Sequence, residues 1–229
     1  MKLVSKLFIA LTVAALAFAA YQGLFVAPTE RTMGEVQRIF YYHVPSAWTA
    51  FLLFFANFLA SVVYLIWRNQ KADAVAAATA EVGVVFCTVV LVTGPIWARP
   101  VWGIWWTWDA RLTTTLVLWL IYVSYLVLRR YSVGTQTSVL AAALAIFGFV
   151  DVPIVYMTIR WFRTQHPSPV IGGGEGSGLD PSMYPPLLWN WLGFSMLAII
   201  LVYARYRLQR MEEAVEEQHA QAALEGSAR

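Results

Sequence analysis

Residues 75–97 read VAAATAEVGVVFCTVVLVTGPIW, an apolar run interrupted by one charged side chain, Glu81. A helix that crosses a bilayer needs roughly 20 apolar residues, so this run is long enough to span a membrane. Five further runs have the same character: 7–27, 47–67, 112–128, 137–158 and 187–204. Because the runs are continuous rather than alternating, they favour helices over a β-barrel. The sequence therefore predicts an all-α polytopic membrane protein, a bundle of about six transmembrane helices.

The composition supports the same fold class. Hydrophobic residues make up 59% of the 229-residue chain and charged residues 13%, whereas a soluble domain averages about 25% charged residues. The net charge of +3 is ordinary for a membrane protein with cationic loops, and no pattern is typical of a nucleic-acid-binding protein. We predict one transmembrane domain, residues 1–206, followed by an acidic cytoplasmic tail, residues 207–229.

The first apolar run has two interpretations. Lys2 and Lys6 precede it, and the AFA sequence at 17–19 resembles a signal-peptidase site. The apolar run continues beyond that site through residues 24–26, which favours a retained span over a cleaved signal peptide.

Basic residues predict the orientation, since they are more frequent on the cytoplasmic side. If both termini are cytoplasmic, ten of the sixteen lysines and arginines lie inside and six lie outside. The outer six are Arg31, Arg38, Arg99, Arg111, Arg160 and Arg163. The longer loops, at 28–46, 98–111 and 159–186, are then extracytoplasmic, and we expect the functional site among them.

Two of the three histidines fall in these outer loops. In the first loop, Thr32 and Glu35 match a capping box, which predicts a short helix, and Pro45 suits the first turn of the next span. His43 then lies where a surface helix meets a span, and His166 follows the fifth span. Each alone is an ordinary interfacial or loop histidine. Together they could face each other across the mouth of the bundle, and two neutral imidazoles can hold one haem iron.

The second outer loop contains the densest aromatic stretch, PVWGIWWTWDARL at 100–112, and five of the eleven tryptophans lie in 97–108. We expect Pro100 to end the third span and an extracytoplasmic amphipathic helix to follow. At about 100° per residue, its predicted face contains Trp102, Trp105, Trp106 and Asp109. Trp108 would point away from that face.

An aromatic belt at the membrane interface is the simpler interpretation of these tryptophans. Their density instead favours a flat apolar platform for a large planar ligand. Haem has an apolar ring and two propionates, and arginine pairs well with carboxylates, so the outer arginines would suit it.

Four other features carry weaker predictions. Glu81 and Asp151 lie in predicted spans, where an acidic residue indicates a functional site, a protonated carboxyl group or a pair inside the bundle. Cys87 is the single cysteine, so no internal disulfide forms, and the sequence has no C-x-x-C-H haem attachment motif. His219 lies among tail glutamates and is expected to be solvated. Residues 172–178 hold five glycines without the Gly-Lys-Ser/Thr ending of a phosphate loop, which predicts a flexible linker.

The stretch WGIWWTWD at 102–109 resembles the tryptophan-rich WWD signature of haem-handling proteins, W-G-x-x-W-x-W-D. The flanking stretches RIFYYHVPSAW, DVPIVYMTIRWFRTQH and YPPLLWNWLGF are similar to those of the cytochrome c maturation protein C (CcmC) family, the haem exporter protein C of bacterial system I. The similarity covers about residues 30–200, including the number of spans and the order of the loops.

This resemblance implies a protein of the bacterial inner membrane that holds non-covalent haem b at the outer face and presents it to the haem chaperone CcmE. The ABC-type pair CcmA and CcmB, with the small CcmD, would be further partners. The resemblance makes His43 and His166 the axial ligands of the iron. It implies a haem platform and chaperone-docking surface formed by Trp102, Trp105, Trp106, Trp108 and Asp109. Our expected propionate partners are Arg38 and Arg111. Such a protein supplies ligation and orientation, so we do not expect an enzyme.

Two other classes of function remain open. A membrane oxidoreductase with b-type haem needs histidine ligands at two depths, whereas the two candidate histidines here both lie outside. A secondary transporter would place polar groups near the midplane on broken helices. Glu81 and Asp151 are the candidates for that role, and the tryptophans would then have no function.

Overall fold

The computed structural model describes residues 3–132, 136–170 and 178–227. Its α-helices are α1 Leu3–Tyr21, α2 Phe40–Trp67, α3 Gln70–Trp102, α4 Ala110–Tyr131, α5 Thr137–Trp161 and α6 Tyr184–Ser227. A π-helix, Gln22–Val26, extends α1, and the 3₁₀-helices Glu35–Ile39 and Pro181–Met183 precede α2 and α6. Six helical segments are long and apolar enough to cross a membrane, which confirms the predicted all-α fold class. The predicted glycine linker lies outside the described residues, apart from Gly178.

The helices form a bundle in which α2 and α3 make the most extensive contact. The turn between them is short: Arg68 takes the left-handed conformation with φ 51°, and the Asn69 side chain accepts the Lys71 and Ala72 N–H groups at the start of α3. Helix α4 packs on α5, and α2 also contacts α5 and α6. Helix α1 lies against α6 at the edge of the bundle.

The core is packed by aromatic rings and by close helix contacts at glycines. The rings of Phe54 and Tyr122 stack with centroids 3.8 Å apart. A methyl group on Gly83 would lie 2.7 Å from Phe54 Cε1, and one on Gly148 would lie 2.7 Å from Ile121 Cγ2. Small residues at such contacts let membrane helices approach closely, since packing rather than hydrophobic burial drives their association.

Ion pairs account for two of the acidic groups inside the bundle. Arg129 on α4 donates two hydrogen bonds to the Asp73 carboxylate on α3, at 2.7 and 2.9 Å, and Ser138 on α5 donates a third at 2.9 Å. Glu81 accepts from Arg205 on α6 at 2.7 Å. Glu81 is therefore paired, which is one of the outcomes expected for it, although 41% of its side chain is exposed. Asp151 Oδ2 has no partner among the described residues.

The start of α2 differs from the prediction. A short helix does precede the span, but the capping box of Thr32 and Glu35 is wrong: the Glu35 carboxylate accepts from Thr29 Oγ1 at 2.8 Å and pairs with Arg38. The helix begins instead after Gly34, whose φ of 61° favours glycine. It runs directly into α2, so Pro45 lies inside that helix rather than in its first turn.

The end of α3 also corrects a prediction. Pro100 does not end the third span, because α3 continues through it to Trp102. The helix ends at Gly103, which adopts φ 78° and donates its N–H to the Arg99 carbonyl at 3.0 Å, an arrangement typical of a glycine C-cap. The predicted amphipathic helix after Pro100 is absent, since the described segment 103–109 is irregular.

The C-terminal tail continues α6. That helix runs from the last membrane segment into the tail up to Ser227, and the His219 side chain is exposed, as expected.

Candidate functional site

Two histidines far apart in the sequence lie together at one end of the bundle. His43 is in the first turn of α2, and His166 is in the irregular segment that follows α5. Their ring centroids are 6.5 Å apart and their planes are inclined by 37°. The Trp-rich segment between α3 and α4 lies at this same end, since helices joined by short turns alternate in direction.

Hydrogen bonds determine which imidazole nitrogens are free. His166 Nδ1 lies 2.8 Å from the Pro167 carbonyl oxygen. A carbonyl can only accept, so Nδ1 carries the proton and Nε2 keeps its lone pair. His43 Nδ1 lies 2.8 Å from Thr93 Oγ1 on α3. Among the described residues no three His, Cys, Asp or Glu side chains cluster as a metal site. A two-imidazole donor set therefore fits haem iron, because the porphyrin supplies the remaining ligands.

The surroundings keep His166 neutral. Burial and, to a smaller extent, the nearby Arg111 guanidinium lower its pKa to about 4, although the bond to the Pro167 carbonyl and the Asp109 carboxylate oppose both effects. A neutral imidazole is the form that binds a metal. Arg111 itself is held in place by a 2.8 Å hydrogen bond from Nη1 to the Val155 carbonyl on α5.

Asp109, the last residue of the Trp-rich stretch, connects α4 to the segment that carries His166. Its Oδ1 accepts the Leu112 N–H at 3.0 Å and so caps α4. Its Oδ2 accepts the Thr164 hydroxyl at 2.7 Å, and that hydroxyl oxygen accepts the His166 backbone N–H at 3.1 Å. An open cleft of about 370 Å³ lies beside this chain of contacts, and Arg163 is one of its lining residues.

The tryptophans do not form the predicted face. The tryptophans form two edge-to-face pairs instead: Trp97 with Trp102 in the last turns of α3 at 5.1 Å, and Trp106 with Trp108 in the irregular segment at 5.7 Å. Trp108, predicted to point away, thus contacts Trp106. Trp105 is 59% exposed and Trp108 is 75% exposed, so two indoles present apolar surface outward.

The two arginines expected to bind propionates differ in their surroundings. Arg111 acts electrostatically on His166 and thus lies beside the histidine pair. Arg38 holds the junction of α1 and α2: its Nη1 donates to the Gly23 and Ala27 carbonyls, each at 3.1 Å, and its Nε pairs with Glu35. Arg38 thus has a structural role, and Arg111 is the better-placed candidate for a propionate.

Sequence reasoning missed the hydroxyl groups that hold the histidines. Thr93 and Thr164 contact groups 50 and 55 positions away, so no local pattern indicates them. Asp109 carried a usable signal, since an aspartate directly before an apolar helical run is a typical N-cap.

The sequence matches the family described as "Heme exporter protein C" over residues 1–221. It is 36% identical to the heme exporter protein C of Bradyrhizobium diazoefficiens over 208 residues, which cover 90% of this chain and 78% of the relative. It is 35% identical to the protein of the same name from Escherichia coli K12 over 191 residues, 81% of this chain and 75% of the relative. A putative cytochrome c biosynthesis ccmC-like mitochondrial protein of Marchantia polymorpha is 33% identical over 182 residues, 79% of this chain and 77% of the relative. The chain therefore belongs to the haem exporter protein C (CcmC) family.

Proposed function

We propose that this protein handles haem in system I cytochrome c biogenesis, holding it at the extracytoplasmic face of the bacterial inner membrane and presenting it to a CcmE-like chaperone. The observation that carries the proposal is the pair of histidines, His43 and His166, whose rings come from different elements and lie 6.5 Å apart. The family name of the relatives supports haem as the cargo.

The residues have separable roles in this proposal. His43 and His166 ligate the iron of a non-covalent haem b through their free nitrogens, and Arg111 pairs with a propionate. Neutral imidazoles ligate without forming a permanent bond, which suits a protein that must release its cargo. The protein therefore binds and presents haem rather than acting as an enzyme in the strict sense.

The exposed indoles support a docking surface for the chaperone. Trp105 and Trp108 present apolar surface at the same end of the bundle as the histidine pair, and exposed apolar surface is typical of interaction sites. CcmA, CcmB and CcmD are the expected further partners. The excess of basic residues at the other end of the bundle supports cytoplasmic termini and an outward-facing haem site.

The structure offers less support for the alternative functions. Both candidate haem ligands lie at one end of the bundle, whereas an electron-transferring oxidoreductase needs ligands at two depths. Glu81, one of the two carboxylates considered for a transporter, is paired with Arg205.

The test is haem retention by purified variants. We expect His43→Ala and His166→Ala each to lower the haem-to-protein ratio in a pyridine haemochromogen assay, with a changed oxidised and reduced spectrum. His219→Ala is the matched control, because it removes the third histidine from the exposed tail. Wild-type spectra and stoichiometry in both site variants would refute the assignment of the ligands.

A further inference from the structure

The hydroxyl group of Thr93 on α3 faces the His43 ring. Thr93 Oγ1 lies 2.8 Å from His43 Nδ1 and 2.6 Å from the backbone carbonyl oxygen of Val89. A threonine hydroxyl has one proton to donate, and the Val89 carbonyl can only accept. The proton therefore goes to Val89, as it commonly does when a helical threonine bonds to the carbonyl four residues earlier. The Thr93 oxygen is left as an acceptor, so His43 Nδ1 must be the donor.

We infer that Thr93 is a positioning residue that holds His43 with Nδ1 protonated and Nε2 free to bind iron. The inference rests on the proposed function, because it concerns how a haem ligand is prepared. The ring is also placed by packing, since a methyl group on Gly94 would lie 3.5 Å from His43 Cε1. The Nδ1 and Cε1 edge of the imidazole therefore lies against α3.

The second histidine reaches the same tautomer through an unrelated contact. His166 Nδ1 donates to the Pro167 carbonyl, whereas His43 Nδ1 donates to a side chain on a different helix. A hydrogen bond that only satisfied a buried polar atom could involve either nitrogen of either ring. With Nδ1 of each ring engaged as a donor, Nε2 is the nitrogen of each ring that keeps a lone pair for a metal, because a bound metal and an N–H proton cannot occupy one nitrogen.

The inference has a readout that needs no haem. In full-length protein labelled with ¹⁵N-histidine, the chain's three histidines give few enough signals to assign with the His43→Ala variant. We expect His43 of the haem-free wild type to carry its proton on Nδ1, and Thr93→Val to shift the population towards Nε2 protonation. A wild-type His43 protonated on Nε2 would overturn the inference, whatever the variants do.

The second readout is the rate of haem release to an excess of a soluble haem-binding protein. Removing a partner that orients a metal-bound histidine typically weakens binding 10–100-fold, so we expect Thr93→Val to release haem about 10–100-fold faster. Thr93→Ser keeps the hydroxyl and should release haem within a few-fold of the wild-type rate. Thr79→Val is the matched control, because Thr79 lies on the same helix and makes the same bond to the carbonyl four residues earlier.

The outcomes separate this inference from the proposed function. Equally fast haem release from Thr93→Ser and Thr93→Val would overturn the inference, since the hydroxyl would not be the cause. Wild-type release from Thr93→Val would overturn it as well. A wild-type protein that binds no haem would refute the proposed function, while the tautomer of His43 would still decide the role of Thr93.

Discussion

The hydroxyl of Thr164 joins the His166 segment to Asp109, and its removal should loosen one of the two proposed haem ligands, His166, and leave the other, His43, in place. Thr164→Val preserves the shape of the side chain but removes a 2.7 Å bond to the Asp109 carboxylate and a 3.1 Å bond from the His166 N–H. A hydrogen bond to a charged group contributes about 1.5–3 kcal/mol, and this one is only partly buried, so the lower end applies. Because 1.4 kcal/mol corresponds to a tenfold change, we expect haem affinity to fall about tenfold.

The assay pairs haem titration with hydrogen exchange of peptides from the Thr164 and Asp109 regions. We expect faster amide exchange around His166 in Thr164→Val, with exchange around His43 unchanged, because the lost bonds hold only the irregular segment. Thr107→Val is the control, since Thr107 lines the same cleft and its buried hydroxyl has no hydrogen-bond partner among the described residues. Unaltered haem affinity together with unaltered amide exchange around His166 would refute the role of the Thr164 hydroxyl in holding the His166 segment.

Two further predictions concern the opposite end of the bundle and the exposed indoles. Asp73→Asn leaves Arg129 buried without its counter-charge, so we expect a loss of about 3–5 kcal/mol in unfolding free energy in detergent. Glu213→Gln, which breaks the ion pair with Arg210 in the tail, should lower the unfolding free energy by less than about 1 kcal/mol. Equal losses of unfolding free energy in the two variants would contradict the buried ion pair of Asp73. The double variant of Trp105 and Trp108 to Ala should keep its haem but load a CcmE-like chaperone poorly in a reconstituted transfer assay, because these indoles are exposed. Normal loading of the chaperone would indicate that the two indoles form only an aromatic belt at the membrane interface.

The bundle was predictable from sequence because membrane helices have a length requirement that local composition meets. The run at 75–97 is a single helix in the structure, extended at both ends to Gln70 and Trp102. The extensions were not predictable from hydropathy, because polar and aromatic residues at helix ends contribute little to it. Topology predicts that His43 and His166 lie on one side of the membrane and could face each other, whereas the 6.5 Å between their rings depends on tertiary packing that no local pattern indicates.

The helical face expected for the tryptophans is wrong for a reason that the sequence contains. A helical face of tryptophans needs one helix that passes through Gly103 and reaches Asp109, but glycine is the usual residue at a helix C-cap and aspartate is common at an N-cap. Both residues play those roles, so the segment between them is a linker between two helices. The periodicity of Trp102, Trp105 and Trp106 was therefore a coincidence of spacing.

The position of Asp109 gives a physical reason why a carboxylate ends the Trp-rich stretch. One oxygen starts α4 and the other holds Thr164, so a single side chain sets where the exposed loop stops and where the His166 segment lies. An asparagine could accept one of these bonds with its carbonyl oxygen, but its amide nitrogen could not accept the other. A glutamate would move the oxygens by one methylene and lose the short reach that N-capping requires. The aspartate therefore supports the segment that carries His166, whereas the exposed tryptophans remain the candidates for the proposed chaperone-docking surface.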